Sequence, residues 1–142
     1  DVNALQAATA ALTNLAALHE RNAAALVAAG GVTTLAAVLD SPRTEDLLNL
    51  DQVDEIHANA AEALANATAD VHGSAVAAAI AARAAEQLHD AGLRQLVLLC
   101  GSRNLQVRRH MALVLGNVAQ RDDHRAAVGR CGGVEALITL CE

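Results

Sequence analysis

The chain contains no phenylalanine, tyrosine, tryptophan or lysine, and only one proline and one methionine in 142 residues. Without aromatic rings there is no platform on which nucleic-acid bases could stack, so binding to single strands would rest on arginine alone. The missing aromatic and strand-forming side chains also argue against sheet. A single proline, Pro42, leaves long segments free to run as helix. No apolar run reaches the roughly 18 residues of a membrane span; Ala75 to Ala82 is stopped by Arg83. All ten basic residues are arginine, which with the absent Phe and Tyr points to a GC-rich coding bias.

Chemistry-bearing constellations are equally scarce. The three cysteines, Cys100, Cys131 and Cys141, form no Cys-x-x-Cys pair and are odd in number, so neither a disulfide framework nor a zinc ribbon is indicated. A reducing, intracellular and hence cytoplasmic setting is the expectation. Cys100 and Cys141, each closing an apolar run, are expected to be small buried hydrophobes. The six histidines are scattered, with no zinc spacing. No phosphate loop, nucleophile elbow or Cys/His pairing is present. The sequence thus predicts a chain that is not an enzyme and needs no cofactor or metal.

What the chain has is alanine and leucine, 35 and 21 of them, the leading helix formers. It also repeats itself. Asn104-Leu105-Gln106, Val114-Leu115-Gly116-Asn117-Val118-Ala119 and Gly132-Gly133-Val134 match Asn3-Ala4-Leu5-Gln6, Ala11-Leu12-Thr13-Asn14-Leu15-Ala16 and Gly30-Gly31-Val32. A looser copy holds Ala63-Leu64-Ala65-Asn66-Ala67 and Ala91-Gly92-Leu93. Recurrence of this kind marks units that bury an apolar side only against a neighbour.

A helix ending in small-Leu-x-Asn-Leu-Ala, then a short helix, Gly-Gly-Val and an apolar helix resembles an armadillo repeat. The resemblance covers nearly the whole chain. It implies an all-α, right-handed solenoid of about three units, at 1–41, 54–102 and 103–142, with an acidic, leucine-containing insertion at 42–53. Between Asn66 and Gly92 the middle unit carries about ten extra residues, read as an elongated helix over 74–90 capped by Ser74. A chain that starts at Asp1, inside a unit, is expected to be a piece of a longer protein with flanking repeats.

Finer expectations follow from periodicity. Leu5, Leu12 and Leu15 share one side of the first helix, Asn22 is placed to cap the second, and Leu105, Met111, Leu115 and Val118 are offered to the interior of a later one. The glycine pairs at 30–31 and 132–133 supply sharp bends between helices.

Asn14, Asn66 and Asn117 recur at one helical position, 52 and 51 residues apart. An Asn amide both donates and accepts, so a row of them would hold the backbone of an extended peptide; the alternative is that each braces its own unit. The resemblance implies the first use, with a tryptophan one turn earlier in those family members that carry nuclear signals. Here Ala10, Glu62 and Leu113 stand in its place, so a transport adaptor for basic signals is the lesser reading. Adding neighbours on the same face gives the expected partner-binding set: Asn14, Asn59, Glu62, Asn66, His110 and Asn117. Glu55 and Glu62 would meet a basic residue of the partner.

Charge is unevenly placed, with 3 Arg against 12 acids in residues 1–92 and 7 Arg against 4 acids in 93–142. The expectation is therefore a scaffold or adaptor binding a protein or an extended peptide. The alternative is a spacer held in a cytoskeletal or ciliary assembly through its long helix; those settings rest on the breadth of the resembling family. Membrane and nucleic-acid partners are not expected.

Overall fold

The computed structural model describes residues 1–40, 50–70 and 73–142, and among them the chain is all-α: eight helices and no strand. In order they are α1 (Val2–Ala16), α2 (Glu20–Ala28), α3 (Gly31–Asp40), α4 (Leu50–Thr68), α5 (Ala75–Leu99), α6 (Leu105–Ala119), α7 (Asp122–Arg130) and α8 (Gly133–Thr139). α4 packs against α1 on one side and α6 on the other. Behind this row, α5 touches α2, α3, α4, α6, α7 and α8, giving a bundle-like second layer.

The core follows from the composition. With no rings to fill space, Leu35, Leu64, Leu96, Met111 and Leu115 are its largest fully buried side chains. Ala60, Ala61, Ala63 and Ala67 are completely buried along α4, so helices on either side approach its backbone closely. Each fully buried leucine contributes about 1.5–3 kcal/mol of apolar transfer free energy; an alanine contributes far less, and its value lies in the close approach it allows.

Caps set several boundaries. The Asp1 carboxylate accepts from the Asn3 and Ala4 amides at 2.9 and 3.5 Å, Ser74 Oγ from Ala77 at 3.0 Å, and Asn104 Oδ1 from Gln106 and Val107 at 2.9 and 3.2 Å. α2 corrects an expectation. Its cap is His19, whose Nδ1 accepts from the Asn22 amide at 3.3 Å, and Asn22 lies inside the helix.

Between α2 and α3 the axis bends by 73°. The two glycines there have different duties. Gly30 takes φ +75°, a conformation L-residues resist. Gly31 has an ordinary φ but no room: a Cβ would lie 2.7 Å from the Leu26 carbonyl oxygen and 2.8 Å from its Cγ. Gly132 and Gly133 repeat the division, with φ +86° at the first and a Cβ clash of 2.5 Å with Val128 Cγ1 at the second.

The middle bend is built otherwise. α5 is capped by Ser74 as expected, but it is broken at His89 (φ 47°, ψ 175°), and Gly92 lies within the helix that continues to Leu99. The expected elongated helix and the apolar helix after it are therefore two limbs joined at a strained histidine, where the repeat pattern had pointed to Ala91-Gly92.

Other expectations are corrected by which face meets a neighbour. The buried face of α1 is Thr9, Thr13 and Ala16; Leu5 and Leu15 are exposed, because α4 is approached through the smaller side chains. The threonine hydroxyls stay satisfied, Thr13 Oγ1 donating to Thr9 O at 3.0 Å and Asn59 O at 2.8 Å. In α6, Met111, Leu115 and Val118 are buried as expected, whereas Leu105 is exposed in the first turn. Cys100 is buried, which raises its thiol pKa, but Cys141 is exposed. Most of the insertion placed at 42–53 lies outside the described residues; its last part, Leu50 to Val53, is the first turn of α4.

Replacing Gly31 with alanine is expected to lower the unfolding free energy by about 1–3 kcal/mol through overpacking against Leu26. Gly30→Ala is expected to cost about 1–2 kcal/mol through backbone strain alone. Urea unfolding followed by far-UV circular dichroism reads both.

Candidate functional site

The face shared by α1, α4 and α6 carries the recurring asparagines, and the way these helices meet decides what each amide is free to do. Asn66 Nδ2 points to the Thr13 carbonyl at 3.5 Å, a long bond. Asn117 Nδ2 donates to the Ala65 carbonyl at 3.4 Å and to Thr68 Oγ1 at 3.2 Å. Thr13 and Ala65 are the residues immediately before Asn14 and Asn66. Each asparagine thus reaches the main chain just ahead of its counterpart on the preceding helix. Neither proposed use of these residues, peptide capture or bracing within one unit, describes that contact; it ties one unit to the next. Helical carbonyls already accept from their own helix, and each has a second lone pair for such a donor.

Asn14, at the same position of α1, is exposed, and among the described residues its side chain has no hydrogen-bond partner. Asn59 is half-buried and contributes its carbonyl to Thr13 Oγ1 at 2.8 Å. Glu62 is exposed, one turn before Asn66. Towards the start of the same face a polar cluster links α1 to α4: Gln6 Nε2 donates to Glu55 Oε2 at 2.6 Å, and Gln52 Nε2 to Asn3 Oδ1 at 3.1 Å. Asn104 Nδ2 makes the corresponding link from α6 to the Asp54 carbonyl at 3.1 Å. Reading residue types at helical spacing selected the asparagines but missed Gln6, Gln52 and Asn104; their offset of about 50 residues was the available signal.

His110 is the departure from a solvated polar face. It is 8% exposed, and its Nδ1 has no hydrogen-bond partner. Burial pushes the imidazole pKa below 6.5; the Glu62 carboxylate pulls it back up in part, and Arg109 lowers it further. Glu62 and His110, both in the expected set, are therefore electrostatic neighbours across the α4–α6 seam.

Among the described residues no group of three or more His, Cys, Asp or Glu side chains could hold a metal ion. The arginines are partly spent on the fold: Arg125 donates to the Ala119 and Gln120 carbonyls at 3.0 and 3.3 Å and pairs with Asp122 at 3.0 Å. Among the described residues no single helix is long and apolar enough to cross a membrane.

Asn117→Ala is expected to cost about 1–2 kcal/mol and Asn66→Ala about 0.5–1 kcal/mol, since each leaves a neighbouring helix without its donor. Asn14→Ala is expected to change stability by less than about 0.5 kcal/mol; chemical denaturation of the three variants separates brace from surface. His110 adds a pH dependence. With its folded pKa lowered, the unfolded chain binds the proton more readily, so stability is lost as pH falls from 6.5 through the folded value. In a His110→Gln variant that part of the slope is expected to vanish, read as urea midpoints between pH 8 and about pH 5.

No family model matches the chain, and no curated protein matches it. Among solved structures, an engineered protein from the Northeast Structural Genomics Consortium is similar at a TM-score of 0.74 and 24% identity over 99% of this chain. This chain spans 50% of that protein's length. A second engineered protein is 25% identical over 99% of this chain, with a TM-score of 0.45 and 66% of its own length covered. The first likeness concerns the fold alone: an all-α arrangement.

Proposed function

We propose that this chain is a non-catalytic protein-interaction scaffold, an armadillo-type solenoid segment of three units whose α1–α4–α6 face receives an extended segment of a partner protein. The observation that carries this reading is the unit-to-unit register of that face. Asn66 and Asn117 repeat one contact one helix apart, so side chains at equivalent positions recur at a regular step along a single surface. The bracing bonds use one N–H of Asn66 and both of Asn117, and leave Oδ1 of both half-buried side chains and the second N–H of Asn66 for a partner's main chain. Glu62 lies exposed beside them, and Glu55, held by Gln6, lies two turns earlier, an acidic stretch suited to a basic side chain of the ligand. A rigid surface of this kind binds by positioning, with little entropy lost on its own side. The intracellular, cytoplasmic setting belongs to the same proposal.

A second reading, a spacer held in a larger assembly through α5, is favoured by one feature. An apolar groove between α2 and α5 is lined by Val27, Ala28, Val76, Ala79 and Ile80, with Arg83 at its edge.

The adaptor reading is tested with a panel of extended peptides carrying Lys or Arg at alternate positions, titrated by fluorescence polarisation. Changing Glu55 and Glu62 together to Lys is expected to weaken the best binder at least tenfold, about 1.4 kcal/mol. Side-chain amide shifts in NMR spectra should map to Asn59, Asn66 and Asn117. Undiminished binding by the double variant, or shifts confined to the α2–α5 groove, would favour the spacer.

A further inference from the structure

His110 and Glu62 form a pairing that the repeat does not copy. The positions equivalent to His110 hold Ala7 on α1 and Asn59 on α4, and those equivalent to Glu62 hold Ala10 on α1 and Leu113 on α6, so none of these can titrate. The two partners sit differently. Glu62 is exposed, whereas His110 is 8% exposed and its Nδ1 has no hydrogen-bond partner. An imidazolium carries two N–H donors, so a charged ring in this seam lacks an acceptor at Nδ1. Burial opposes the charge most, and Arg109 on the same helix opposes it too; support comes first from the Glu62 carboxylate and then from the Gln106 carbonyl one turn back. α6 also packs on α5 and α7, but no group of either enters this balance, nor do Glu55 and His57 of α4.

We propose that Glu62 serves two cations in competition: a proton on His110 weakens docking of a basic partner segment at Glu62, and docking of that segment expels the proton from His110. This rests on the adaptor reading, in which Glu62 meets a basic side chain of the ligand. Once the partner's cation stands beside Glu62, a charged imidazole loses its first support and gains a like charge nearby. The proton is therefore held less tightly in the complex than in the unbound protein. Linkage fixes the sign. Docking is tightest where His110 is neutral, and it weakens as pH falls through the midpoint of the unbound protein, which lies below 6.5. The coupling is reciprocal, so the factor by which the proton weakens the peptide is the factor by which the peptide weakens the proton. Because Glu62 is solvated, that factor is modest, about threefold, or about half a pKa unit.

The probe is the tightest Lys- or Arg-bearing peptide of the panel described above, with both ends blocked so that it carries no group titrating in this window. Fluorescence polarisation at fixed ionic strength is expected to show affinity about two- to threefold lower at about pH 5 than at about pH 8. In His110→Gln the ratio of the two affinities is expected to fall towards one. Far-UV circular dichroism at both pH values checks that the helical fold is kept. NMR titration of the His110 ring in the wild type supplies the reciprocal readout, and it still decides if the His110 variant does not fold. Saturating peptide is expected to lower the ring's midpoint by about half a unit. Without peptide, Glu62→Gln is expected to lower that midpoint and Arg109→Gln to raise it. A pH ratio that persists in His110→Gln, or a midpoint unmoved by peptide or by Glu62→Gln, overturns the coupling and leaves the adaptor reading standing. Failure of every peptide to bind at about pH 8 overturns both.

Discussion

Close approach of α1 and α6 to the backbone of α4 is the constraint from which most of this molecule follows. Ten of the nineteen residues of α4 are buried, and five of those ten are alanines. A helix dressed so thinly brings its neighbours near, and nearness is what lets an asparagine on one helix touch the main chain of another. A phenylalanine at Ala60 or Ala63 would hold the helices apart by more than the length of that contact. The missing aromatics and the asparagine row are thus two sides of one packing solution.

The same constraint accounts for the polar character of the seam. Within a buried or half-buried strip Thr13 Oγ1 donates to the Asn59 carbonyl and Asn117 Nδ2 to Thr68 Oγ1, and the Thr9, Thr13 and Thr68 hydroxyls also donate to carbonyls of their own helices. Each bond is modest in net stabilisation, but a buried donor left alone costs more than a made bond contributes, so such contacts fix register more than they add strength. His110 is the exception. It enters the same seam with Nδ1 unpartnered, and neutrality is how it accommodates burial.

Helix content, the existence of almost every element and the Gly-Gly bends were legible because alanine, leucine and glycine act locally. Facing was not. Leu5, Leu12 and Leu15 follow a clean helical stripe, yet the buried side of α1 is Thr9, Thr13 and Ala16, because the neighbour selects for size as well as for greasiness. Cys141 sits in the sequence as Cys100 does, yet it is exposed where Cys100 is buried, because burial is decided by packed neighbours and not by the apolar run that precedes each cysteine. His19 displaced Asn22 as the cap of α2 because an imidazole nitrogen accepts as an amide oxygen does. The site residues were found by recurrence at one helical position, which marks a row; only the packing reveals that Asn66 and Asn117 already spend part of their hydrogen-bonding capacity on the row itself.

The break at His89 has a mechanical meaning. Ahead of it, Gln87 Nε2 is tied to the Val27 carbonyl at 2.6 Å; behind it, Cys131 Sγ approaches the Asp90 carbonyl at 3.7 Å and Val97 lies 3.8 Å from where a side chain on Gly132 would begin. Two rigid limbs gripping different parts of the molecule through one strained joint behave as a lever. The turn at that joint is what allows a single stretch of chain to hold α2 with one limb and to reach α7 and α8.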